Sequence, residues 1–128
     1  MQSLRELLVT DHLRLDSLLA AAAGGAGSTL DLGAYAAFRG GLLRHIGMEE
    51  KILFPAARRL RGGEPLAQAR QARLDHAALA ALLAPTPTID LVARVHALLA
   101  LHNPLEEGPD GLHARLTDDR GANRGQRT

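Results

Sequence analysis

The chain has 128 residues, a formal net charge of +1, 46% hydrophobic but only 2% aromatic residues, no Trp and no Cys. One domain with one core is the expectation for that length. Disulfides, thiolate metal sites and Cys nucleophiles are excluded, and the near-neutral balance gives no case for nucleic acid or acidic substrates.

A core of Leu and Ala with few β-branched residues favours helices. The opening Met1-Gln2-Ser3-Leu4-Arg5-Glu6 is too polar for a signal peptide. No apolar run is long enough to span a bilayer. The expectation is a soluble, cytoplasmic protein with no membrane contact.

The first helix is predicted over 3–23, where Leu8, His12, Leu15 and Leu19 make one helical stripe. Gly24 to Ser28 ends it, and Thr29 or Asp31 caps the next helix. That helix should run from 31 to 60, with Phe38, Leu42, His45, Glu49 and Ile52 inward. Pro55 lies inside it and is expected to kink or loosen its last turns. The third helix is predicted over 64–83, with Ala72, His76, Leu79 and Leu83 in line. After Pro85-Thr86-Pro87, Thr88 caps a fourth helix carrying Leu91, Val95, Leu99 (or Leu98), His102 and Glu106. Pro104 disturbs this helix, and Gly108-Pro109 should end or bend it. A short helix is expected over 110–116 and a disordered tail over 117–128.

Four helices with short connections predict an all-α, up-down-up-down bundle over 1–116. The chain also echoes itself. Asp11-His12 through Ala20 resembles Asp75-His76 through Ala84, and His45-x-x-x-Glu49-Glu50 resembles His102-x-x-x-Glu106-Glu107. This reads as two helical hairpins related by approximate two-fold symmetry.

Each helix places one histidine on its apolar stripe. Two of them add a carboxylate one turn on, about 6 Å along the axis. A single buried histidine is ordinarily a core residue, but six such groups together are not explained that way. Two carboxylates in an apolar bundle need charge partners, and a pair of divalent cations supplies them. Imidazole and carboxylate without sulfur suit iron best, with manganese or zinc as substitutes. Four imidazoles give two per ion, and two carboxylates can bridge. A bridging oxide or hydroxide and an open position complete each ion, which points to dioxygen, peroxide or nitric oxide as the ligand.

These motifs, DHxxL, HxxxEExxLFP, DHxxL and HxxxEE, resemble the hemerythrin-like or HHE cation-binding domains across roughly Leu4 to Leu116. The resemblance implies a four-helix bundle around a non-haem di-iron centre. By position it implies that His12 and His45 bind one iron, that His76 and His102 bind the other, and that Glu49 and Glu106 bridge. The oxygen-carrying branch has a further histidine where this chain has Ala80, and an Asp at the position of Glu107. The chain therefore resembles the four-histidine bacterial branch, which argues against a dedicated reversible carrier.

Several residues carry weaker expectations. Asp16, one turn after His12, is expected at the exposed edge rather than as an extra ligand. Asp11 and Asp75, about 100° from the neighbouring histidine, either orient a histidine of another helix or are surface acids. Glu50 and Glu107, roughly 140° from theirs, are expected at the surface or behind the ligands. Phe38 is expected to wall the site, Tyr35 to pack in the core and His96 to be exposed. His113 is a reserve ligand. The functions in competition are oxidant binding or sensing, peroxide decomposition or nitric oxide reduction, and iron storage or donation. A metal-free structural bundle is the fourth.

Overall fold

In the computed structural model of the chain, residues 4–24, 29–63 and 68–107 are described. They form α1 (Leu4–Ala22), α2 (Leu32–Met48), a π-helical turn (Glu49–Leu53), α3 (Phe54–Leu60), α4 (Ala69–Leu83) and α5 (Ile89–Glu107). Glu49 and Phe54 keep helical dihedrals at the junctions, so α2, the π turn and α3 make one continuous rod. Among the described residues there are four rods and no strand. The short helix expected over 110–116, the tail and His113 lie outside the described residues.

The ends of the rods follow the expected chemistry. Asp31 Oδ1 accepts from the Ala34 N–H at 3.0 Å, and Thr88 Oγ1 from the Leu91 N–H at 3.1 Å, each satisfying a donor orphaned at a helix start. Gly24 and Gly62 adopt φ of 73° and 71° just beyond α1 and α3, a conformation open to glycine at little cost.

Cross-rod contacts fix the direction of each rod. The Asp31 N–H bonds Ala22 O at one end of α1, while Asp11 meets His45 towards the other, so α1 and α2 are antiparallel. The Arg39 guanidinium bonds Leu83 O while Glu50 meets His76, so α2 and α4 are antiparallel. Asp75 meets His102 beyond the short 84–88 connection, which reverses α5 against α4. The result is an up-down-up-down bundle.

The predicted stripes of α1 and α4 are buried in full, as are Phe38, Leu42, Val95 and Leu99. Ile52 is not: it is 61% exposed, and Phe54 and Ala57 face inward instead. The π turn is the cause. The Phe54 N–H reaches back five residues to Glu49 O rather than four. That inserts one residue into the turn and rotates everything after it. Pro55 then falls in the first turn of α3, where a missing N–H costs least. The wide turn accommodates the proline that was expected to kink the rod.

Two apolar clusters result. The larger gathers Leu15, Leu19, Tyr35, Phe38, Leu42, Leu79, Leu83, Val95 and Leu99 with their neighbours towards the 23–31 and 84–88 connections. The smaller gathers Phe54, Ala57, Ala69 and Ala72 at the other end. All four stripe histidines lie between them.

The glycines of α2 test this packing. A Cβ on Gly47 meets nothing within 4 Å, whereas one on Gly41 falls 2.8 Å from the buried Leu15 side chain. Gly47→Ala is expected to stabilise the bundle by about 0.5–1 kcal/mol, the helix-interior penalty of glycine. Gly41→Ala should return less, because Leu15 must shift. Thermal unfolding of both variants checks the order.

Candidate metal centre

The helical period puts His12, His45, His76 and His102 on the inner faces of the four rods, all buried. Glu49 and Glu106 follow one turn after His45 and His102 and are 0% and 1% exposed. The six side chains meet in one layer. His12 and His45 approach Nε2 to Nε2 at 3.1 Å. Glu106 turns Oε1 to His12 Nε2 at 3.0 Å and Oε2 to His102 Nε2 at 2.8 Å and His76 Nε2 at 3.4 Å. Glu49 Oε1 lies 3.3 Å from His45 Nε2 and 3.4 Å from His76 Nε2.

Behind every imidazole stands a carboxylate. The His45 Nδ1–H donates to Asp11 Oδ2 at 2.6 Å, and that of His102 to Asp75 Oδ2 at 2.7 Å. The His76 Nδ1–H donates to Glu50 Oε2 at 2.6 Å, and that of His12 to Glu107 Oε1. The aspartates work within a hairpin and the glutamates between hairpins. Asp11 and Asp75 thus take the orienting role rather than the surface one. Glu50 and Glu107 lie behind the ligand atoms, and Glu107 is also exposed, so it meets both of its expected places.

That arrangement fixes the tautomers. An ionised carboxylate only accepts, so each Nδ1 carries the proton and each Nε2 presents a lone pair to the centre. Four lone pairs and two carboxylates then face one another in the buried interior. Cations must lie among them, either protons or metal ions. The donor set fits metal. His12, His45 and Glu106 bring ligand atoms within 4.8 Å of one another, and His76, His102 and Glu106 do the same.

The titration of these groups reports the same field. Burial pulls His45 and His76 down, but the carboxylates of Glu106 and Glu49 outweigh it and lift both to about 10. Burial likewise opposes His102, yet Glu106 and Asp75 raise it. Burial pushes the Asp11 carboxyl up, and Arg14 with His45 brings it below its ordinary value.

Leucines close the layer on one side. Leu15, Leu42, Leu79 and Leu99 each lie three residues from the histidine of their rod and line the cavity. About 10 Å³ of open space remains, room for one water-sized species. Phe38 is not part of this wall; it belongs to the larger core. The aromatic ring at the site is Phe54, stacked on His76 with ring centres 6.3 Å apart and with the Arg73 guanidinium 5.8 Å from its centre. Only the π turn brings Phe54 there, and the motif itself gives no sign of it. Ala80 is exposed, and Leu79 faces the centre instead. Asp16 is exposed yet lines the cavity mouth, His96 is exposed, and Tyr35 is in the core.

A family model described as the hemerythrin HHE cation binding domain matches residues 3–112. No curated protein and no solved structure gives a significant match.

Removing an outer acid should loosen the imidazole it aims. Asp11→Asn and Asp75→Asn are expected to weaken metal affinity by roughly 10–100-fold, the usual scale for such partners. The exposed Asp90→Asn should leave it unchanged, and competition with a chelator reads the difference. The metal-stripped protein should also respond to pH. His45 and His76 have folded pKa values raised from 6.5 to about 10. Their stabilisation is therefore complete below pH 6.5 and is lost as pH rises through about 10. A thermal midpoint that falls across that window bears this out; a flat or rising one contradicts it.

Proposed function

Because the chain belongs to the hemerythrin HHE cation-binding domain family, we propose that its buried centre holds two iron ions and binds or reacts with a small oxidant. Dioxygen, hydrogen peroxide and nitric oxide are the candidates. His12 and His45 hold one ion, His76 and His102 the other, and Glu49 and Glu106 are shared between them. A bound pair supplies two adjacent redox-active Lewis acids.

The residues of the chain do the rest. Glu106 directs one oxygen towards each histidine pair, so a single carboxylate spans both positions. Asp11, Glu50, Asp75 and Glu107 hold the Nδ1 protons and aim each Nε2 inward. The four leucines close the layer on the side of the larger core. The observation that carries this reading is the convergence of six buried donor groups in one layer. No helix among the described residues is long and apolar enough to cross a membrane.

Metal analysis of protein purified from its own host, with spectra before and after air, is the test. About two irons per chain and a spectrum that changes with air are expected, as in other carboxylate-bridged helical bundles. Glu49→Ala and Glu106→Ala should lose more metal than Glu50→Ala. Equal metal content in all three variants would remove the assigned bridges.

A further inference from the structure

The two hairpins are alike in sequence, and the metal layer obeys their two-fold relation. One pair of seams does not. The seam between α2 and α4 corresponds to that between α5 and α1, with His45 equivalent to His102 and His76 to His12. On the α2 side, Ile46 and Leu43 pack against the core, and the Arg39 guanidinium straps the rod to Leu83 O at 2.9 Å. The equivalent positions of α5 are Asn103, Ala100 and His96, each smaller than its counterpart. Asp16 of α1 stands where α4 has Ala80.

The α1–α5 seam is correspondingly open. It holds a groove of about 720 Å³ lined by Leu19, Leu30, Ile89, Val92 and small alanines, with Asp16, His96 and Asn103 as its polar groups. Asp16, Leu99 and Asn103 also line the metal cavity, so the groove and the cavity share a wall. Its volume far exceeds a diatomic molecule and falls in the range of organic ligands. The apolar walls run towards the 23–31 end, while Asp16 and Asn103 mark the end at the centre.

We propose that this groove seats an amphipathic organic hydroperoxide. Its apolar body lies between α1 and α5, and its polar end lies between Asp16 and Asn103 at the mouth of the metal cavity. The hydroperoxide class rests on the oxidant reading above; the seat itself does not. Asn103 offers amide N–H donors and a carbonyl acceptor, and Asp16 a carboxylate acceptor, to the oxygen and the proton of a terminal O–H. Broken symmetry is the core of the argument: the seam that could have been closed by Ile, Leu and Arg is instead floored with Ala, Asn and His.

The probe is cumyl alcohol, which has the shape of cumene hydroperoxide without its reactive bond. It is titrated by NMR into full-length protein, both metal-loaded and metal-stripped. Saturable binding of one molecule per chain is expected in both forms, with shifts in the resonances of Ala100 and Asn103. The double variant His96→Arg/Ala100→Leu installs the side chains of the closed seam and should weaken binding by about tenfold or more. Its metal content and thermal midpoint should stay close to those of the parent. Unaltered affinity in the variant, or no saturable binding in either form, overturns the proposal. So does concentration-dependent dimerisation that the alcohol fails to reverse, since a second copy then fills the groove. Binding in both forms by a protein that consumes no oxidant leaves the seat standing and overturns only the oxidant reading.

Discussion

Everything in this bundle answers to one electrostatic problem: four imidazole lone pairs and two carboxylates are aimed at each other in the buried interior. Acceptors facing acceptors repel, and burial removes the solvent that would screen them. Only positive charge between them makes the layer stable. Protons provide it in part, as the raised pKa values of His45 and His76 show. Metal ions provide it more completely, and membership of a cation-binding family agrees with that solution.

The surrounding structure is arranged to keep the problem in place. Outer acids prevent each imidazole from escaping by turning its Nδ1 inward, because that nitrogen is already committed as a donor. Leucines below and Phe54 with its small cluster above hold the rods at fixed separation. The links are distributed with economy: aspartates tie each hairpin internally, and glutamates tie one hairpin to the other. Loss of a glutamate partner therefore affects both an imidazole and the docking of the two halves.

Much of this was legible in the sequence. The inward positions of His12, His45, His76, His102, Glu49 and Glu106 follow from a 3.6-residue period, which the α-helix enforces locally. The caps at Asp31 and Thr88 were legible for the same reason. What escaped depends on how rods face one another or on a change of helical pitch. Asp11 and Asp75 had two open roles because only the neighbouring rod decides between them. Ile52 was misplaced, and Phe54 overlooked, because a π turn shifts the register by one residue and no simple pattern announces it. Phe38 shares a face with His45 but sits two turns away, too far along the rod to reach the centre. The difference between the two seams was present in the internal repeat, yet it acquires meaning only once α1 and α5 are seen to be neighbours.

Anomalous scattering at the iron edge from crystals of the metal-loaded protein tests the account most directly. Two peaks are predicted, one between His12 and His45 and the other between His76 and His102, with Glu106 spanning both. A single peak, or peaks away from the four Nε2 atoms, would contradict it.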